Sequence, residues 1–171
     1  MMSSDNVWSA DNQQVRKKQG IPDEYFAGFV DGEGCFYVGF SKRIDLPLQW
    51  QVITEFHLSQ NPGGKNILEA FSARIGCGYI KRNHPKSSRD KSWVLIVKDR
   101  KDLEEKLIPF FMKHPLHSAK FEDFRIFVQV LDIILRGEHL KREGFKRIVE
   151  LVFQSPKTGL KKYSREILMR S

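Results

Sequence analysis

Residues 26–40 read FAGFVDGEGCFYVGF, and inside this stretch the chain changes its period. Upstream, Ile21-Pro22-Asp23-Glu24 opens a helix: proline suits the first turn, and acids there complement the positive end of the helix dipole. Tyr25, Phe26, Phe29 and Val30 carry the helix on, and Gly32 and Gly34 stop it. From Cys35 the period is two. Phe36, Val38 and Phe40 face one way, and Tyr37, Gly39 and Ser41 the other. A helix running into an amphipathic strand sets the pattern that the rest of the chain repeats.

Working outward, polar residues 41–47 form a turn. Trp50, Val52, Thr54, Phe56 and Leu58 then alternate with Gln49, Gln51, Ile53, Glu55 and His57, which predicts a long hairpin with one greasy and one mostly polar face. Asn61-Pro62-Gly63-Gly64 breaks the chain. Ile67, Leu68, Phe71 and Ile75 recur at helical spacing up to Gly76 or Gly78. Residues 79–83 and 93–98 predict a second hairpin around the basic tip 84–91. Leu103, Leu107 and Ile108 mark a helix interrupted by Pro109. A longer helix capped by Ser118 runs to Gly137, carrying Phe121, Phe124, Val128, Leu131 and Leu135. Phe145, Ile148, Val149 and Val152 predict a last helix. The order is α-β-β-α-β-β-α-α, an α+β domain in which helices cover the apolar face of a four-stranded antiparallel sheet.

Composition bounds the partners. The 171-residue chain suits one domain with a flexible N-terminal arm over 1–20, ending in Arg16-Lys17-Lys18, a main domain over 21–155 and a C-terminal extension over 156–171. No apolar run approaches the roughly 18 residues of a membrane span, so no membrane is expected. The polar first twenty residues do not read as a secretory signal. Cys35 and Cys77 form no disulfide framework, which suggests a reducing compartment. The net charge of +8 favours a polyanionic partner.

Two features of the opening helix demand a reason. Gly28 and Gly32, four residues apart, share a face with Ala27 beside them, and glycine within a helix costs about 1 kcal/mol relative to alanine. Close approach of another backbone accounts for both glycines; a C-cap accounts for Gly32 alone. Glu33 places a carboxylate at the negative end of the dipole, with Asp31 nearby. A bound divalent cation removes that penalty, and a solvated acid in a turn tolerates it. The residues alone leave both open.

Phe26-Ala27-Gly28-Phe29-Val30-Asp31-Gly32-Glu33-Gly34 resembles the LAGLIDADG signature of homing endonucleases, departing from it at Phe26 for Leu and Glu33 for Asp. One copy of the motif and the length of the chain resemble the single-motif, homodimeric members. The resemblance implies that the motif helices of two subunits pack together, with Phe26, Ala27, Gly28, Asp31 and Gly32 at the interface. Glu33 and Gly34 would hold Mg²⁺, with Mn²⁺ able to substitute, and both strands of a long intron-insertion site in double-stranded DNA would be hydrolysed.

By the same resemblance, Gln60 at the end of the first hairpin would hold the water network. Lys120, in preference to Lys113, would be the active-site lysine, and neither His114 nor His117 is expected to act. On the outward sheet face, Tyr37, Ser41, Arg43, Gln49, Gln51, Glu55, His57, Tyr79, Lys81 and Asn83 would read DNA. Lys86, Arg89, Lys91, Lys141 and Arg142 would contact its backbone. The resemblance also leaves two alternatives on this fold, an intron RNA maturase and a catalytically decayed DNA binder. The host compartment would be a prokaryotic cytoplasm or an organelle.

Overall fold

The computed structural model describes residues 20–155 and 162–170. The arm through Arg16-Lys17-Lys18 and most of the linker after Ser155 lie outside these residues. Helix α1 (Asp23–Glu33) begins after Pro22, whose carbonyl accepts from the Tyr25 N–H at 3.1 Å. Its Phe26, Ala27 and Val30 are buried. It runs directly into β1 (Gly34–Lys42), which pairs antiparallel with β2 (Trp50–Gln60) in a register from Gly34 opposite Leu58 to Lys42 opposite Trp50.

The alternation expected of this hairpin is present. Trp50, Val52, Thr54, Phe56 and Leu58 are all buried. Gln49 departs from expectation: it lies in the turn at φ 58°, and its N–H donates to the Leu46 carbonyl, so β2 starts one residue later.

After a 3₁₀ turn at Pro62–Gly64 comes α2 (Lys65–Ile75), then β3 (Tyr79–Arg82) and β4 (Trp93–Val97). The sheet order is β1-β2-β4-β3, so β4 is interior and β3 an edge. The interior position explains the unbroken apolar run of β4. Leu95 and Val97 face the helices beside Leu58 and Phe56. Val94 and Ile96 are buried on the opposite face, between Ser59 and Lys81 and between His57 and Tyr79. The outer face is thus less uniformly polar than alternation predicts.

The helical layer follows as α3 (Arg100–Asp102), a π-helical turn (Leu103–Leu107), α4 (Ile108–Lys113), α5 (Lys120–Leu135), α6 (Arg142–Gln154) and α7 (Arg165–Met169). Pro109 does not break this path. The π turn, in which the Ile108 N–H bonds to the Leu103 carbonyl, widens the helix just before the proline, which has no N–H to offer.

Two apolar clusters form. One joins α1, α2, α4 and α5 beneath the sheet through phenylalanines, with the Phe36 ring 5.1–5.6 Å from Phe56, Phe111, Phe124 and Phe127. The other joins the far end of the first hairpin to α5, α6 and α7, with Leu168 fully buried and Tyr163 edge-on to Trp50 at 4.7 Å. On α5 the core face is Phe124, Phe127 and Leu131 with Ile126, Val130, Ile133 and Ile134, while Phe121 and Leu135 are exposed. Among the described residues no helix is long and apolar enough to cross a membrane.

Candidate active site

The site is assembled where α1 hands over to β1. Glu33, the last residue of α1, is exposed, and no basic side chain stands in that last turn to balance it. Gly34 is buried with ordinary dihedrals, φ −75° and ψ 158°, so space rather than conformation demands glycine. A Cβ there would lie 2.6 Å from Val30 Cγ1 and 2.7 Å from the Val30 carbonyl oxygen.

The Gly34 carbonyl accepts from Lys120 Nζ at 2.5 Å, which brings the first residue of α5 beside Glu33. Lys113 is not brought there; it lines a separate cleft with Arg74 and Glu105. His114 is engaged between the carboxylates of Asp23 (3.2 Å) and Glu24 (3.3 Å), away from Glu33.

Gln60 faces Glu33 across an open cleft of about 470 Å³ that also takes in Ser59, Asn61 and the second hairpin's Arg89, Asp90, Lys91 and Ser92. Gln60 serves the turn as well. Its Oε1 accepts from the Asn61 N–H at 2.7 Å, and a Cβ at Gly64 would sit 2.3 Å from Gln60 Cγ, so a larger residue there would displace the Gln60 side chain. Asp90 was not anticipated. Its carboxyl is held below the usual range chiefly by hydrogen bonding from Ser92, so it adds negative charge to the cleft between two cationic neighbours. The available signal is an acid between Arg89 and Lys91 in an otherwise basic tip.

The arrangement fits a hard divalent cation. A free carboxylate and a neighbouring backbone carbonyl are oxygen donors of the kind Mg²⁺ takes, with water and phosphate completing the shell. Among the described residues no group of three or more His, Cys, Asp or Glu side chains gathers into a closed metal site. One chain would therefore offer only part of such a shell, with space left beside it.

Several expected interface residues are placed differently. Phe26 is 2% exposed with its ring 5.1 Å from Phe71, and Ala27 is 6% exposed, so both belong to the core of their own chain. Asp31 turns its carboxylate to α5 and accepts from the His117 and Ser118 N–H groups, each at 3.0 Å, and from Ser118 Oγ at 2.6 Å. Desolvation pushes its pKa up, but these hydrogen bonds outweigh it and the net shift is downward.

Gly28 and Gly32 do lie exposed, and nothing stands within 4 Å of where their Cβ atoms would be. Tyr25 and Phe29 extend that stripe, stacked at 6.4 Å and 5°. Their i, i+4 spacing is visible in the sequence, although it does not say that Tyr25 is exposed while Phe29 is half-buried against the core.

On the sheet, Tyr37, Ser41, Gln51, Glu55 and His57 share the outward face, with Tyr37 opposite Glu55 and Ser41 opposite Gln51. The Tyr37 ring stacks on His57 at 6.0 Å, and Glu55 lies 2.8 Å from His57 Nε2, so this trio is pre-arranged. At the first tip Arg43 bonds Asp45 at 2.9 and 2.7 Å, which raises the arginine pKa further. Tyr79 and Lys81 are exposed on the edge strand, Asn83 closes the hairpin mouth through its N–H to Ser92, and Lys86, Arg89 and Lys91 are exposed at the tip. Lys141 and Arg142 are exposed at the start of α6, in the layer behind the sheet, and so do not join this face.

Comparison with known proteins agrees with this geometry. The family model for LAGLIDADG endonuclease matches residues 26–131. The probable intron-encoded endonuclease 2 of Neurospora crassa is 29% identical over 132 residues, 77% of this chain and 28% of that protein. The DNA endonuclease I-CeuI of Chlamydomonas moewusii is 29% identical over 108 residues, 63% of this chain and 47% of that protein. The chain thus spans about a quarter of the length of its first curated relatives. Among solved structures, the homing endonuclease I-TnaI superposes with a TM-score of 0.74 at 35% identity, covering 89% of this chain and 96% of its own. The archaeal intron-encoded homing endonuclease I-Vdi141I, complexed with DNA, superposes with a TM-score of 0.76 at 27% identity, covering 86% and 92%. With the motif helix, the four-stranded antiparallel sheet and the acid at their junction in place, the chain belongs to the LAGLIDADG endonuclease family.

Proposed function

We propose that two copies of this chain form a site-specific, divalent-metal-dependent DNA endonuclease that cuts both strands at an intron-insertion site. The observation that carries this reading is the exposed Glu33 carboxylate, set between the Lys120-bonded Gly34 carbonyl and the Gln60 side of the cleft. The stripe of exposed Tyr25, Gly28 and Gly32, with Phe29 half-buried beside them, supports a second copy packing on α1. So does the near-complete coverage of I-TnaI and I-Vdi141I, whose chains are of similar extent.

When bound, Mg²⁺ supplies Lewis acidity at the phosphoryl oxygen and lowers the pKa of water. The protein's own groups do the rest. Glu33 and the Gly34 carbonyl provide oxygen donors. Lys120 sets a positive charge where negative charge develops on the phosphate. Gln60 offers an amide to orient water, and Arg89 and Lys91 neutralise backbone phosphates on the cleft wall. Two Glu33 carboxylates brought together across a dimer would repel, and cation and phosphate relieve that repulsion jointly.

The test is cleavage of a plasmid carrying the rejoined exon junction, with Mg²⁺ or Mn²⁺ and with chelator. Linearisation that needs the metal, together with a particle of twice the chain mass in sedimentation, is the expected result. Splicing of the intron RNA without DNA cleavage would move the reading to a maturase. Site-specific binding that never leads to cutting would indicate a decayed enzyme.

A further inference from the structure

We propose that Asp31 is a positioning residue: it fixes Lys120 against Glu33 by anchoring Ser118, the residue whose hydroxyl caps the helix that carries the lysine. The catalytic consequence rests on the endonuclease reading above; the geometric part does not.

The first N–H groups of a helix lack partners within it. At α5 the residue before the helix is Ala119, which has no side-chain acceptor and makes no cap bond. The acceptor is Ser118, one residue earlier, and α1 holds that serine in place. Asp31 takes both the His117 and Ser118 N–H groups and the Ser118 hydroxyl, across 86 and 87 residues of sequence. Ser118 Oγ then accepts from the Lys120 N–H at 3.0 Å, which continues the chain of bonds to the lysine backbone. The far end of the same side chain returns to α1, where Lys120 Nζ donates to the Gly34 carbonyl.

The last turn of α1 is therefore tied at Asp31 to the residues that lead into α5, and α1's closing residue Gly34 is tied to Lys120 itself, with Glu33 between the two ties. Ser118 satisfies the helix by itself, so the cap does not need Asp31. Anchoring that serine from a different element does something the cap alone cannot, because it sets where α5 begins relative to the acid. Lysine has a flexible four-carbon stem, so its ammonium is placed only if both its backbone and its tip are held.

Two measurements test this. Single-turnover cleavage is compared for wild type, Asp31→Asn, Lys120→Met and the double variant, with affinity for the same duplex measured by anisotropy. Asp31→Asn is expected to slow cleavage on the order of 10–100-fold, as a misplacement of about 1 Å does, while affinity changes less than about twofold. The double variant is expected to be no slower than Lys120→Met. Losses that multiply, or a fall in affinity matching the fall in rate, overturn the proposal.

Independently of cleavage, mild acetylation read by mass spectrometry should find Lys120 protected relative to Lys113 in wild type and exposed to the same degree in Asp31→Asn. Unchanged Lys120 reactivity also overturns the proposal. Should Asp31→Asn fail to fold, Ser118→Ala removes the hydroxyl link alone and must still raise Lys120 acetylation. If wild type cuts nothing, the acetylation result still decides the positioning role, and the endonuclease reading fails separately.

Discussion

The chain builds helix and hairpin twice, and it finishes the two helices in different ways. Helix α2 ends on Gly76 at φ 68°, with the N–H groups of Gly76 and Cys77 reaching the Ser72 carbonyl at 2.9 and 3.3 Å and Arg74 in the last turn. That is the finish helix stability asks for: a left-handed glycine and a cation at the negative end. Helix α1 has neither. Gly34 is extended, no basic residue stands in the last turn, and an acid sits at the negative pole, a disadvantage of about 0.3–1 kcal/mol. The same contrast continues one residue on. Cys35 is exposed on β1 opposite His57, whereas Cys77 is buried in the core. The first unit gives up local stability to present a carboxylate, and the second holds the sheet in place around it.

The largest expected effect sharpens this contrast at the helix ends. Glu33→Gln should cut DNA at least about 100-fold more slowly than wild type, because loss of a ligand should exceed the roughly 10–100-fold effect of losing a supporting contact. Arg74→Gln, at the end of α2, should cut at the wild-type rate. Equal rates for Glu33→Gln and wild type would remove the functional half of the comparison.

The two cap glycines come next, and they should fail for different reasons. Gly34→Ala drives a methyl into the Val30 side chain and carbonyl and should destabilise by about 1–3 kcal/mol. Gly76→Ala meets nothing within 4 Å but forces alanine to φ 68°, which should cost about 1–2 kcal/mol. Urea midpoints measure both. In a double-mutant cycle, Gly34→Ala should cost less on a Val30→Ala background than in wild type, whereas Gly76→Ala should cost the same on both.

How much of this was legible in the sequence follows the range of the interactions. The first unit reads well because each of its elements declares itself locally: Phe36, Val38 and Phe40 against Tyr37 and Ser41 is a period-two pattern with one face in water. The second unit reads less well. Residues 93–97 are apolar at every position, so their outer-face burial depends on β4 being interior, which pairing settles and local pattern does not. Pro109 looked like a break because its missing N–H is a local fact, whereas the π turn that accommodates it is not. Phe26 and Ala27 looked like interface because a nine-residue motif does not say which side of its helix faces the core. Asp31 was ambiguous for the same reason, since its partners stand 86 and 87 residues away.

The cysteines offer a smaller test. Burial pushes the Cys77 thiol up to about 11 from 9.0, with Asp102 adding to the shift and Lys106 opposing it. A raised folded-state pKa means that the protonated thiol is favoured by folding. This contribution is fully present below pH 9.0 and is lost as pH rises through about 11. Thermal melts over that window should fall less steeply for Cys77→Ala than for wild type. In labelling, Cys35 should react with maleimide in the native protein and Cys77 only on unfolding; equal native rates would erase the distinction between the two units.

The smallest effect on the single chain falls on the stripe that only α1 carries. Gly28 is exposed with open space around its Cβ direction, so within one chain nothing opposes alanine there. Gly28→Ala should stabilise an isolated protomer by up to about 1 kcal/mol through helix propensity. If a second copy packs its backbone on Gly28 and Gly32, the same methyl must be accommodated between two helices, and the dimer should weaken. The two signs separate in one titration. Urea midpoints rise with Gly28→Ala at low protein concentration and fall below wild type at high concentration, where dimerisation contributes to stability by mass action. Alanine that stabilises at every concentration would mean that the stripe is an exposed helix face with no second copy on it, and the open glycines of α1 would then need another partner.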